Sequence, residues 1–121
     1  MKQAQIIEKL ENDITRHAYR AKIQEQLKTL EYDASMMEYY SNVSMGQAFE
    51  AIELLNLITN KPHHGDDVFN AAEEEAIQDV KRIMREYGYS KAGFIALLDA
   101  AGFSGVEHYA VESKYNDSLP A

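Results

Sequence analysis

The sequence predicts an all-α protein, a single compact domain of four to six helices with a long N-terminal helix. Three observations carry this. Apolar residues recur at three- and four-residue spacing along most of the 121 residues. Capping and stopping residues stand between the periodic stretches. No stretch alternates convincingly at strand period. The length suits one domain, read as residues 1–115, with 116–121 as a frayed tail. Hydrophobic residues make up 45% and charged residues 26%, the balance of a folded globular chain and not of a disordered one.

The first element follows from Ile7, Leu10, Ile14, Ala18 and Ala21. A second stripe, Ile23, Leu27, Leu30, Ala34 and Met37, is out of phase with it. The two-residue step from Ala21 to Ile23 turns the apolar side to nearly the opposite face. No Gly or Pro breaks the chain there. One long helix from residue 2 to about 31 is expected, burying one face early and the other late. Such a helix can reach beyond one protomer's core, so a homodimer is an expectation. Residues 32–43 fit either an extension of this helix or a separate short one.

Ser44-Met45-Gly46-Gln47 has capping-box spacing and predicts a helix from there to about Asn60, stopped by Pro62. Ala48, Ile52, Leu55 and Ile58 form its apolar face. Phe49, Leu54 and Leu57 widen that arc, so this helix is expected to be the most buried. Lys61 to Asp67 reads as a loop, with Asp66 or Asp67 capping the next helix. That helix carries Phe69, Ala72, Ala76, Val80, Ile83, Met84 and Tyr87, and Gly88 closes it. Glu73, Glu74 and Glu75 stand near its start and Lys81, Arg82 and Arg85 near its end, matching the macrodipole. Ser90 caps a short helix with Phe94, Leu97, Leu98 and Ala101, closed by Gly102. Ser104-Gly105-Val106-Glu107 repeats the capping-box spacing before a last helix to about Lys114; Val106 to Val111 also fits a strand.

Twelve Lys and Arg against twenty Asp and Glu leave −8 with His neutral. Residues 34–60 hold Glu38, Glu50 and Glu53 and no Lys or Arg. Phosphate-tracking surfaces need clustered cations, so nucleic acid is disfavoured as a partner. With no cysteine, disulfides, CxxC redox sites and cysteine zinc sites are excluded. No apolar run reaches membrane-spanning length, and Met1 to Gln5 leads into a charged pattern unlike a signal-peptide core. The expected compartment is the cytoplasm, with no membrane association.

Several constellations could carry chemistry. GxSxG, HExxH and Gly-rich phosphate loops are absent. His63 and His64 lie beside Asp66 and Asp67, but no downstream His completes a ligand set. Asp13 and His17 share a helix face, the usual spacing of an ion pair. Glu50-Ala51-Ile52-Glu53 resembles the ExxE of all-α MazG-type nucleotide pyrophosphohydrolases, which hold Mg²⁺ with that motif and a following ExxD. The second motif departs, because Glu75 to Asp79 is a four-residue step. Ala101-Gly102-Phe103-Ser104 with His108, Tyr109 and Lys114 resembles the second helix-turn-helix of AraC-type activators. That resemblance implies DNA binding through residues 90–115. It departs at Ser113, where an aromatic is expected, and at Glu107 and Glu112, where Arg is expected.

No set of residues converges on catalysis, so no catalytic residue, metal or cofactor is assigned. The favoured reading is a non-catalytic acidic module, an inhibitor or small regulator that occupies a basic surface of a protein partner. One form is an inhibitor of a nucleic-acid-binding machine of the sort that phages and mobile elements encode. The partner-binding candidates are Glu38, Tyr39, Tyr40, Glu50, Glu53, Glu73, Glu74 and Glu75. The acids would meet the basic surface and the tyrosines would anchor it. Tyr32, Met36, Met37 and Met45 belong to the same cation-free neighbourhood, with Met36, Met37 and one tyrosine expected in the core.

Overall fold

The structure is a computed structural model and describes residues 2–29, 34–62, 65–88 and 90–103. Among these, the chain is all-α, with α1 (Gln3–Thr29), α2 (Ala34–Thr59), α3 (Asp66–Tyr87) and α4 (Lys91–Ala100). None of these helices is long and apolar enough to cross a membrane. His63, His64 and residues 104–121, where the sequence predicts a last helix and most of the AraC-like resemblance falls, lie outside the described residues.

α1 runs unbroken through the phase shift in its apolar pattern. Ile14, Ala18 and Ala21 are buried on the early stripe, and Ile23, Gln24 and Leu27 on the late one. Two faces can be buried because α1 is the helix that contacts all three others. α2 returns antiparallel to it. Gln3 Nε2 donates to the Ile58 carbonyl at one end, and Lys28 pairs with Glu38 at 3.6 Å at the other. α3 runs parallel to α1, with Val68 across a shared cleft from Glu11 and Thr15, and Tyr19 bonded to Asp79.

The core has two parts. Ile14 gathers Ala51, Ile52 and Leu55 near the α2–α3 connection. Ile23 and Leu27 gather Met37, Ala76, Val80, Ile83, Phe94, Leu97 and Leu98 at the α4 end. Met37 is thus core, as expected. Tyr40 is half-buried and packs against this cluster, meeting Phe103 edge-on with ring centroids 4.9 Å apart.

Three local expectations are corrected. Ser44 does not cap a helix. α2 already runs from Ala34, and Ser44 is a buried residue within it. Its Oγ donates to Gln24 Oε1 at 2.9 Å, while Gln24 Nε2 donates to the Ala101 carbonyl at 3.0 Å. A buried amide needs such partners, and this one links α1, α2 and the end of α4. Asp66 and Asp67 do not cap α3 either. Gly65 holds the N-cap position without a side-chain cap, and both aspartates lie in the first turn, where they suit the dipole. Gly65 has φ 78°, and a Cβ there would lie 2.7 Å from Ile52 Cδ1, so the backbone conformation favours glycine and a side chain would push Ile52 aside. Finally, Phe49, Leu54 and Leu57 do not extend α2's buried face. They are exposed by 52%, 47% and 75%.

Other stops follow the sequence. Asn60 takes a left-handed φ of 54° after α2, two residues before Pro62. Gly88 follows α3, its N–H donating to the Met84 carbonyl. Ser90 Oγ accepts from Gly93 N–H at 3.1 Å and caps α4.

Candidate protein-binding face

Successive helical residues turn by about 100°, so a helix of this length has distinct sides. α2's buried side carries Met37, Ser41, Ser44, Ala48, Ala51, Ile52 and Leu55. Directly opposite, within an arc of about 80°, stand Tyr39, Val43, Gly46, Glu50, Glu53 and Leu57. All six are exposed. Leu54 borders this meridian and is also exposed; Phe49 lies to one side, its ring 5.2 Å from that of Phe69. Among the described residues, α2 therefore carries apolar side chains on both sides, and only one of those sides is buried.

Tyr39 is 64% exposed and touches the ring of Tyr40, which anchors it from behind at 5.4 Å. Glu50 and Glu53 occupy the middle of the meridian, with apolar residues above and below. The sequence places no Lys or Arg between residues 34 and 60, so no cation of α2 neutralises them. Gly46 sits between Val43 and Glu50. A Cβ at Gly46 would meet nothing within 4 Å. A mid-helix glycine costs about 0.5–1 kcal/mol relative to alanine, and no contact within the described residues calls for one here.

The remaining candidates are dispersed. Glu38 pairs with Lys28 across the α1–α2 edge. Tyr40 faces the core. Glu73, Glu74 and Glu75 are exposed on α3 but point in three directions, each about 100° from the next. Leu54, Leu57 and Val43 are exposed apolar residues that the sequence pattern did not separate from core.

The ExxE and its four-step companion do not converge. Glu50 and Glu53 project from the side of α2 that faces away from α1. Asp79 faces α1, where its Oδ2 accepts from Tyr19 Oη at 2.5 Å and its Oδ1 lies 3.8 Å from Arg82. Burial, then the Asp79 hydrogen bond, raises the Tyr19 phenol well above its ordinary value. Among the described residues no three His, Cys, Asp or Glu side chains are grouped to hold a metal. Asp13 pairs with Lys9 and Arg16 at 3.1 and 3.0 Å, not with His17. The Lys9 hydrogen bond leads in lowering the Asp13 pKa. His17 is lowered by burial first and by Arg16 and Arg20 next, and its Nδ1 is buried with no hydrogen-bond partner.

A cleft of about 620 Å³ opens between α1, the end of α2 and the start of α3. Ile14, Ile52, Leu55 and Val68 line its apolar part, and Glu11 and Asp66 are among its polar lining. Thr15 brings a hydroxyl to its described lining, and that hydroxyl donates to the Glu11 backbone carbonyl at 3.1 Å instead of to a carboxylate base.

We find no family model, curated protein or solved structure that matches the chain.

Proposed function

We propose that the chain is a non-catalytic acidic protein-binding module, a single-domain inhibitor or small regulator working in the cytoplasm. It occupies a basic surface of a partner protein, and the outward face of α2 makes the contact. One observation supports this reading: apolar Tyr39, Val43, Leu54 and Leu57 flank the carboxylates of Glu50 and Glu53, in a stretch without Lys or Arg, on a side of α2 that is exposed among the described residues. Contiguous exposed apolar surface is costly in a solitary protein and marks contact sites. Aromatic anchors supply binding energy, and complementary charge supplies register and rate. Glu73, Glu74 and Glu75 contribute the long-range field that steers a basic partner, while Glu38 stays tied to Lys28.

The test is charge reversal at the centre of the face. Immobilised wild type is expected to retain one stoichiometric partner from nuclease-treated host lysate, and high salt should release it. Glu50→Lys with Glu53→Lys should lose that partner while keeping the helical circular dichroism of wild type. A partner that survives the double reversal with unchanged salt dependence would sink the assignment of this face.

A further inference from the structure

We infer that the partner meets α2 with a basic amphipathic α-helix that lies along the outward meridian and approaches most closely at Gly46. The inference rests on the protein-binding reading above and specifies the shape and chemistry of the partner.

The meridian residues Tyr39, Val43, Gly46, Glu50, Glu53 and Leu57 step by four, three, four, three and four. That is the spacing of a coiled-coil seam, which keeps one face of a helix turned toward another over several turns. The seam spans about 27 Å of helix axis, enough for a partner helix of about three heptads. Its two ends are apolar and its centre is acidic. A complementary helix therefore carries apolar residues at both ends of its own stripe and Lys or Arg level with Glu50 and Glu53.

Gly46 supplies the second, independent observation. The position where its Cβ would stand is open, so the glycine relieves no crowding within the described residues. In a seam, the missing side chain leaves a notch in the ridge. A partner knob, or the partner backbone itself, can enter there.

Charge decides against a second copy as occupant. Pairing two α2 faces would bring Glu50 and Glu53 of both chains into one seam. Neither α2 offers a Lys or Arg to meet them, and each chain carries −8. Like charges in a desolvated seam are strongly unfavourable.

The test titrates the full chain with a fluorescein-labelled synthetic helical peptide of about 21 residues. The peptide has leucines at four–three spacing and two lysines at its central seam positions. One control scrambles the same residues so that no stripe forms. A second replaces the two lysines with glutamate. The stripe peptide is expected to bind at least about tenfold more tightly than either control. Gly46→Leu should weaken it by about tenfold or more, because the notch is filled. Gly46→Ala, with its Cβ in open space, should raise Tm by about 2–5 °C while also weakening the peptide, a pairing that damage to the fold would not produce.

Absence of saturable peptide binding, or equal binding of stripe and scrambled peptides, would overturn helix docking. So would unchanged affinity in Gly46→Leu. A dimer of the protein alone that Gly46→Leu dissociates, seen by sedimentation equilibrium, would overturn the choice of occupant in favour of a second copy. The protein-binding reading is judged separately, by whether Glu50→Lys with Glu53→Lys loses the partner captured from lysate.

Discussion

α2 and α3 both flank α1, and both carry acidic residues, but they distribute their apolar residues differently. On α3, Ala72, Ala76, Val80 and Ile83 are buried on one side, and Tyr87 in the last turn is its one exposed large apolar residue. Its carboxylates ring the rest of the helix. On α2, five large apolar residues are exposed while a second apolar set is buried. Among the described residues, burial against α1 therefore completes α3 and only half completes α2. The difference teaches that an acidic run has no fixed meaning. On an amphipathic helix it is the solvated side. Between apolar residues on a helix with two apolar sides, it reads as the polar centre of a contact.

The comparison breaks most sharply by truncation on the two sides of α2. Leu55→Ala, on the buried side, should cost about 2–5 kcal/mol in urea denaturation, as should Ile83→Ala on α3. Leu57→Ser, on the outward side, should stay within about 0.5 kcal/mol. A large loss at Leu57 would mean that this side is covered within the chain.

A smaller effect is expected at the link between α1 and α2. Gln24→Ala removes the acceptor of Ser44 and the donor to the Ala101 carbonyl, and should cost about 2 kcal/mol. Because Ser44 lies on the buried side of α2, affinity for a partner on the outward side should be unchanged. Loss of affinity together with stability would show that the two sides are coupled.

On the α3 side, Tyr19→Phe should cost about 1 kcal/mol by removing the hydrogen bond to Asp79. The folded state holds the phenol protonated beyond its ordinary range. The unfolded chain ionises from about pH 10 and then binds fewer protons than the folded one. This contribution is therefore complete below pH 10 and is lost as pH rises. Denaturation midpoints measured upward from about pH 9 should fall less steeply in Tyr19→Phe than in wild type. Parallel curves would show that the Tyr19–Asp79 bond does not join α1 to α3 in solution.

The smallest effect is at His17. Burial and two arginines favour its neutral form, so its contribution is present above about pH 6.5 and is lost as pH falls. His17→Gln should flatten the acid side of the stability profile below about pH 6.5. An unaltered profile would remove His17 as the source of any acid sensitivity there.

Much of the fold was legible from local pattern. The two out-of-phase stripes of α1, the stop before Pro62, Gly88 and the Ser90 cap all act over a few residues. The capping-box signal at Ser44 failed because helical continuity is not decided locally. Met37 and Ser41 are buried on the same side as Ala48, and packing carries the helix through Ser44, whose hydroxyl then serves Gln24 instead of a backbone N–H. The candidate face was half legible. The absence of cations around Glu50 and Glu53 is a property of sequence. The exposure of Val43, Leu54 and Leu57 is not, because an apolar residue at helical spacing carries no mark of which neighbour covers it.

By itself, then, the sequence determined the helical class, the continuity of α1 through Ala21–Ile23, the stops after α2, α3 and α4, and the acidic, cation-free character of residues 34–60. These rest on backbone hydrogen bonding, capping and side-chain period, which act between residues three or four apart. Tertiary structure alone decided that α1 takes the place between its neighbours and buries two faces. It also decided that Tyr40 turns inward while Tyr39 turns out, and that α2 keeps a second apolar side exposed among the described residues. Burial is a relation between elements distant in the chain, and local period shows how many faces a helix has without showing which of them the fold will cover.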